Sequence, residues 1–278
     1  MEHVEGSLAG SNGATLYHQA WMPEGQPVAV VMICHGLGEH SGRYGNVVEA
    51  LVPAGYAVHA LDHQGHGRSS GPRAHIRRYG DFLVDFDAFR GHVATRHPGA
   101  PLFLLGHSMG GNIALGYALE HQDQLRGLIL SGPALTVPDD VPRLLLRLSG
   151  VLGRLTPRLR ATALDATKIS RDPAVVAAYR SDPLVFTGKF TAGLGSALLS
   201  AMQSFPDRVA GLRLPLLILH GTADELADPS GSRMLEARAG SSDLTARYYP
   251  GLYHEVFNEP ERDEVLADLR AWLAAHRG

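Results

Sequence analysis

The chain has 278 residues, of which 45% are hydrophobic and 19% are charged, and its formal net charge at pH 7 is −3. This composition is typical of a globular protein with enough apolar residues for one large domain or two small ones. The small net charge, without a long run of like charges, gives no electrostatic basis for binding nucleic acid.

The N-terminal part of the chain carries no recognisable targeting signal. Its first ten residues, MEHVEGSLAG, lack the basic and apolar regions of a secretory signal, and no stretch approaches about 18 uninterrupted apolar residues. We therefore predict a cytoplasmic protein. The next segment, GATLYHQAWMP at residues 13–23, alternates polar and apolar side chains. Such alternation predicts antiparallel edge strands ahead of the main sheet.

Short runs rich in valine, isoleucine and leucine recur along the chain and predict buried strands. They occupy residues 28–35, 56–62, 102–106, 125–132, 214–221 and 244–251. Between them, apolar side chains at three- and four-residue spacing predict helices at residues 43–55, 79–98 and 112–122. Alternating buried strands and helices indicate an α/β fold with a mostly parallel sheet that is covered on both faces. On such a sheet we expect the functional site at the carboxyl ends of the strands.

The alternation breaks at residues 133–206, where the sequence is punctuated by prolines and has no clear strand. We predict a mainly helical cap inserted between two parts of the core, residues 1–132 and 207–278. Within the cap, residues 141–160 place arginines near one helical face and leucines on the other. This segment makes transient contact with a membrane or lipid surface, or it is a cap helix whose leucines pack on the body; both interpretations stay open.

The segment Gly106-His107-Ser108-Met109-Gly110 fits the G-x-S-x-G pattern, directly after a predicted strand and directly before a helix. The corner between strand and helix is so sharp that it requires glycines and strains the serine. It exposes the hydroxyl at a helix N-terminus, whose N–H groups and dipole stabilise negative charge. We predict that Ser108 is a nucleophile. The alternative is a glycine-rich loop with an incidental serine.

A serine nucleophile needs a histidine base and an acid that orients the histidine, and in this kind of fold they follow in the order serine, acid, histidine. LILHGTADELAD provides Asp224, with Glu225 and Asp228 as competitors, and YYPGLYHEVFNEP provides His254. We predict that His254 takes the serine proton and that Asp224 fixes the tautomer of the imidazole. Taken singly, Asp224 could instead cap a turn and His254 could be structural.

The turn ICHGLGEHSGRY follows the first parallel strand and fits the position of a second oxyanion donor. Gly36 and Gly38 let the backbone approach an acyl oxygen closely. We predict that the N–H groups of Leu37 and Met109 form the oxyanion hole. The alternative is a tight turn with a buried histidine, His35.

Three residues of LDHQGHGRSSG, Asp62, His63 and His66, are of metal-binding types. The glycines between them and the lack of a further cysteine or glutamate partner favour a turn network. The single cysteine, Cys34, excludes an internal disulfide, and we predict that it is a small buried residue at a strand end. The chain has no CxxC or HExxH motif, so we predict no metal site. The predicted triad supplies nucleophile, base and electrostatic stabilisation unaided, so no cofactor is implied.

Six blocks of the sequence together resemble the monoacylglycerol lipases of the α/β-hydrolase fold, especially the bacterial members, over nearly the whole chain. The blocks are HGLGEHSGRY, DHQGHGRSSG, GHSMGG, SRDPAVVAAYRSDPLV, LHGTADELAD and YPGLYHEVFNEP. The resemblance implies hydrolysis of monoacylglycerols to glycerol and fatty acid through an acyl-enzyme, with a cap that shapes an acyl tunnel.

The resemblance also implies roles for individual residues. The triad and the oxyanion donors would be Ser108, Asp224, His254, Leu37 and Met109. Glu39 and Arg43 would help to bind the glycerol hydroxyls; their other interpretation is a local, exposed salt bridge that stabilises the loop. The acidic segment ADELADPSGSR departs from the family pattern and leaves the choice of acid less sharp.

Other functions share parts of this pattern. A lysophospholipase or a broad-specificity carboxylesterase would use the same catalytic residues and differ only in the alcohol that it accepts. A non-catalytic ligand receptor on a hydrolase scaffold is a third interpretation, because fold alone does not establish activity. The sequence makes no prediction of the oligomeric state.

Overall fold

A computed structural model describes residues 1–137 and 155–278 of the chain. Its centre is an eight-stranded sheet. The strands are β1 (Glu2–Ala9), β2 (Thr15–Met22), β3 (Ala29–Cys34), β4 (Tyr56–Leu61), β5 (Leu102–His107), β6 (Gly127–Ser131), β7 (Leu216–Gly221) and β8 (Leu244–Tyr249). Their spatial order is β1-β2-β4-β3-β5-β6-β7-β8.

Helices cover both faces of this sheet. They are α1 (Gly45–Leu51), α2 (Tyr79–Arg96), α3 (Met109–His121), α4 (Pro173–Ser181), α5 (Ala192–Arg208), α6 (Pro229–Arg238) and α7 (Arg262–His276). α1 and α7 pack together on one face, and α2, α3 and α5 pack together on the other. No helix within the described residues has the length and apolar character needed to cross a bilayer.

The sheet is parallel from β4 to β8 and antiparallel at its N-terminal edge, where β2 pairs with both β1 and β4. This arrangement confirms the predicted α/β-hydrolase fold. Residues 13–23, where edge strands were predicted, contain the strand β2. Its hairpin partner β1 begins at Glu2, ahead of that segment, and was not predicted from the sequence. The partly exposed side chains of β1 give it a weak apolar signal.

The parallel strands β3 to β7 are buried on both faces, which explains their near-continuous apolar sequences. In β3, Val30 and Met32 pack in the core under α2 and α3, whereas Val31 and Ile33 pack in the core under α1 and α7. Burying one such side chain contributes about 1.5–3 kcal/mol relative to leaving it exposed. Both cores therefore fix the register of the central strands, and with it the loops at their carboxyl ends.

The described part of the predicted cap contains α4, α5 and one isolated bridge between Arg160 and Thr191. Most of the leucine- and arginine-rich segment at 141–160 lies outside the described residues. The predicted boundaries at residues 132 and 206 stay predictions; α5 runs across the second of them, to Arg208.

Candidate active site

Ser108 occupies the corner between β5 and α3 in a strained backbone conformation. Its φ is 55° and its ψ is −120°, values that residues with a Cβ rarely adopt. The neighbouring glycines are required by space: a Cβ at Gly106 would lie 2.5 Å from the carbonyl oxygen of Gly110, and a Cβ at Gly110 would overlap the Cys34 carbonyl. Packing of the central strands thus holds the Ser108 side chain at the end of β5.

Asp224 and His254 meet in the structure although they are thirty residues apart in the chain. The His254 Nδ1–H group donates to Asp224 Oδ2 at 2.7 Å. The other carboxylate oxygen, Oδ1, accepts the backbone N–H groups of Leu226 and Ala227 at 2.8 and 2.9 Å. Because its Nδ1 carries the proton, a neutral His254 presents Nε2 as a proton acceptor.

The competing acids of the same loop have other partners. Asp228 caps the N-terminus of α6 and accepts the Ser230 N–H at 2.8 Å. Glu225 is exposed and pairs with Lys168 at 2.9 Å. Of the three acids considered, Asp224 is the one that contacts His254.

The electrostatic surroundings of His254 favour its charged form. Burial would lower the pKa of His254, but the adjacent Asp224 carboxylate, its hydrogen bond and the nearby Glu255 and Glu39 raise that pKa above its usual value. Burial would likewise raise the pKa of Asp224, but His254 and the hydrogen bonds that Asp224 accepts hold it well below its usual range. The pair therefore combines a permanent carboxylate with an imidazole that readily takes a proton.

Ser108 and His254 line one cavity together with Leu37. Its lining includes residues of the predicted cap. Apolar and aromatic side chains of its wall are Leu164, Ile169, Tyr179 and Leu226. The serine and the histidine thus share a partly open site, one wall of which is apolar.

Leu37 lies in the turn that follows β3, beside Ser108. The Gly36 N–H donates to Glu39 Oε1 at 2.6 Å, and Gly38 has a φ of 80°, which favours glycine. Met109 is the first residue of α3, where backbone N–H groups have no acceptor within the helix. Both predicted oxyanion donors therefore belong to backbone segments that border the cavity.

The predicted cap directly contacts the turn after β3 that carries the predicted oxyanion donor Leu37; we call this turn the oxyanion turn. The Phe186 N–H donates to the Gly38 carbonyl at 2.7 Å. Two residues further along the turn, His40 Nε2 lies 2.9 Å from Asp182 Oδ2 at the end of α4. The cap thereby fixes one side of the turn that carries Leu37.

Glu39 and Arg43 form the local ion pair of the alternative interpretation, but the pair is buried, so the exposure assumed in that interpretation is wrong. Arg43 Nη1 lies 3.1 Å from Glu39 Oε2, and the guanidinium also makes two hydrogen bonds to Glu255, at 2.5 and 2.9 Å. The Arg43 side chain is only 10% exposed, since the Tyr179 ring of the cap covers its guanidinium at 4.6 Å. Arg43 thus connects the oxyanion turn to the loop that carries His254.

The predicted turn network around Asp62 is confirmed. Asp62 accepts the backbone N–H groups of Ser41 and Arg68, each at 2.8 Å. The buried His35 accepts the His63 N–H at 2.9 Å, so it ties the same turn to the end of β3. These hydrogen bonds make Asp62, His35 and His63 part of the framework that surrounds the oxyanion turn.

Cys34 is fully buried at the end of β3, as predicted. Its Sγ lies 3.2 Å from Nε2 of His63. Burial raises the pKa of the thiol well above its usual value, so the group stays a neutral thiol.

Three polar residues of the site were missed in the sequence analysis. His107 donates from Nδ1 to the Ser131 carbonyl at 2.9 Å, and its ring centroid lies 4.7 Å from that of His254. Glu255 holds Arg43, and His220 contacts Asp224. The sequence signal that could have identified them is proximity, because each lies within four residues of a predicted catalytic residue.

The chain matches a family model and several characterised proteins over most of its length. The family described as serine aminopeptidase, S33, matches residues 25–261. The monoacylglycerol lipase of Mycolicibacterium smegmatis is 45% identical over 272 residues, which cover 98% of this chain and 97% of that protein. The human monoglyceride lipase is 34% identical over 270 residues, covering 96% and 89%. The crystal structure of Paleococcus ferrophilus monoacylglycerol lipase superposes with a TM-score of 0.85 at 36% identity, covering 94% of this chain and 99% of that one.

Proposed function

The chain belongs to the serine aminopeptidase S33 family of α/β-hydrolases, and on that premise we propose that it is a serine hydrolase that cleaves monoacylglycerols to glycerol and free fatty acid. The observation that carries the proposal is the pairing of Asp224 with His254 at 2.7 Å in a site that also exposes the strained Ser108. The similarity to monoacylglycerol lipases along nearly the whole chain supports the substrate class.

In the first half of the proposed reaction, the Ser108 hydroxyl attacks the ester carbonyl while His254 Nε2 takes its proton. The negative charge moves to the carbonyl oxygen, where the N–H groups of Leu37 and Met109 stabilise it. The tetrahedral intermediate then collapses. Glycerol leaves with the proton that His254 returns to its oxygen, and the acyl group remains as an ester on Ser108.

In the second half, water attacks the acyl-enzyme and gives a proton to His254. Collapse of this second intermediate releases the fatty acid and restores the Ser108 hydroxyl. In both halves Asp224 holds the Nδ1–H of His254 and stabilises the imidazolium that forms. These groups supply nucleophile, base and charge stabilisation, so the proposed mechanism uses no metal or cofactor.

The walls of the site differ in polarity, and we assign the two parts of the substrate accordingly. The acyl chain fits the apolar side formed by Leu164, Ile169 and Leu226. We assign the glycerol hydroxyls to the polar side, where Glu39 lines the cavity at Ser108 and Arg43 lines a neighbouring cavity. The hydrogen bonds that Glu39 and Arg43 make within the protein support a further role, in holding the oxyanion turn.

A lipid surface is the proposed place where the enzyme meets its substrate. Leu155 and Leu159, at the end of the leucine-rich cap segment, are 74% and 52% exposed, and Arg158 beside them is exposed as well. Exposed leucines next to a cation suit an anionic lipid surface. The variant Leu155→Ser/Leu159→Ser should sediment less with anionic vesicles and keep its turnover of a short, dissolved ester; unchanged sedimentation would remove this part of the proposal.

The substrate proposal is tested by measuring fatty acid release from mono-, di- and triacylglycerols and from a lysophospholipid of the same acyl length, with Ser108→Ala as the control. We expect release mainly from monoacylglycerol and none from the variant. Greater release from the lysophospholipid would leave the serine mechanism intact but replace the substrate. No release from any ester would favour a non-catalytic receptor.

A further inference from the structure

We propose that His220 and Ser232 form a positioning pair that holds the Asp224 carboxylate against His254. The inference deepens the proposed function and rests on it, because the pair acts through the acid of the catalytic site. Neither residue lines the cavity at Ser108, and neither was singled out in the sequence analysis.

His220 is the penultimate residue of β7 and is fully buried. Its Nε2 lies 3.1 Å from Asp224 Oδ2 and 3.0 Å from the carbonyl oxygen of Ala227. A carbonyl oxygen can only accept a hydrogen bond, so Nε2 carries a proton and donates it to both oxygens. The neighbouring oxygens thus select one tautomer of His220.

Ser232 completes this arrangement from α6. Its hydroxyl lies 2.7 Å from Nδ1 of His220, and its side chain is fully buried. In the neutral ring with Nε2 protonated, Nδ1 is an acceptor, so Ser232 donates its hydroxyl proton to it. Contacts at both nitrogens therefore fix the orientation of the His220 ring.

The consequence concerns Asp224. Its carboxylate receives four hydrogen bonds, two backbone N–H groups on Oδ1 and the two imidazoles of His220 and His254 on Oδ2. Among the described residues, the His220 bond is the only one, apart from the bond to His254 itself, that acts on the oxygen facing His254. It contributes to holding the pKa of Asp224 below its usual range, against the effect of burial. We infer that His220 fixes Oδ2 in the position that His254 requires.

A purely structural role for His220 would affect stability without affecting the Asp224–His254 bond. The chain offers a matched control in His59, a buried strand histidine on β4 whose Nε2 contacts His97 at 2.9 Å and which does not line the cavity at Ser108. His59→Leu removes one buried imidazole, as His220→Leu does. It leaves the hydrogen bonds of Asp224 intact.

The test compares kcat and KM for monoacylglycerol in His220→Leu, His220→Gln, Ser232→Ala and His59→Leu. A hydrogen bond to a charged group supports an effect of about 10- to 100-fold, so we expect His220→Leu to lose that much kcat with KM changed less than about twofold. The glutamine amide can donate in place of Nε2, so His220→Gln should recover most of the loss. Ser232→Ala should lose less than His220→Leu, and His59→Leu should keep its kcat.

The second readout needs no substrate. The His254 Nδ1–H, bonded to a carboxylate, should give a downfield proton resonance in the resting protein. We expect it to move or broaden in His220→Leu and Ser232→Ala and to persist in His220→Gln and His59→Leu. If His220→Leu fails to fold, Ser232→Ala decides by the same two readouts.

Unchanged kcat and an unchanged resonance in His220→Leu, or in Ser232→Ala where that variant decides, would overturn the inference. A glutamine variant as impaired as the leucine variant would also overturn it. If the wild-type protein releases no fatty acid but the resonance responds as expected, the proposed function fails and the positioning pair stands.

Discussion

Replacing Asp224 by asparagine should cost about 10⁴-fold in kcat, which corresponds to about 5.5 kcal/mol of transition-state stabilisation. The structure determines how the amide would lie. Oδ1 accepts two backbone N–H groups, from Leu226 and Ala227, so an amide nitrogen at that position would leave two buried donors facing a donor. The asparagine oxygen therefore stays there, and the NH2 group faces His254.

An NH2 group facing His254 inverts the chemistry of the base. Nδ1 can then only accept a hydrogen bond, so the neutral ring carries its proton on Nε2. A protonated Nε2 cannot take the proton of Ser108, although the geometry is nearly unchanged. The same NH2 group also meets the donating Nε2 of His220, which adds a repulsive contact.

Asp228→Asn is the matched control, because it makes the same isosteric change four residues away. Asp228 caps α6, and asparagine is an equally good N-cap residue. We expect Asp228→Asn to retain kcat and stability within experimental error. Both variants are assayed for kcat and KM after circular dichroism has verified folding; an Asp224→Asn enzyme with more than a tenth of wild-type kcat would refute the reasoning.

Two further predictions concern the nucleophile corner and the pH profile. Gly110→Ala should lower the free energy of unfolding by about 3 kcal/mol, since its Cβ would overlap the Cys34 carbonyl. The control Gly91→Ala, in open space on α2, should raise the free energy of unfolding by about 0.5–1 kcal/mol. Urea unfolding measures both variants, and equal effects would contradict the packing argument. Because the pKa of His254 is raised, kcat/KM should rise with pH through an acid limb above pH 6.5. Glu255 contributes to the raised pKa, so Glu255→Gln should move that limb to lower pH. An acid limb that stays at the same pH or moves to higher pH in Glu255→Gln would contradict this electrostatic account.

Much of the fold follows from local sequence patterns. The apolar runs predicted β3 to β7 because strands buried on both faces need such residues throughout. The edge strand β8 was also predicted, although it is only partly buried. The corner at Ser108 was predictable because its sequence signal lies within five consecutive residues, GHSMG, directly after an apolar run. By contrast, β1 pairs along one edge and carries exposed side chains, so its sequence gives no comparable signal.

The polar framework of the site was harder to predict, because its partners are distant in the chain. Arg43 and Glu255 are separated by 212 residues, and only the fold brings their side chains together. The local pairing of Glu39 with Arg43 was recognised, but not its burial, which depends on Tyr179 of the cap. For His220, the sequence shows a histidine at the end of a strand, and only the folded loop directs its Nε2 to Asp224.

The most direct test of the account is to identify the residue that becomes covalently modified. The wild-type protein and Ser108→Ala are incubated with a fluorophosphonate, and intact mass and peptide mapping locate the adduct. We predict one adduct per chain, on Ser108, and none in the variant. No adduct on the wild-type protein, or an adduct on another residue that persists in Ser108→Ala, would contradict the account.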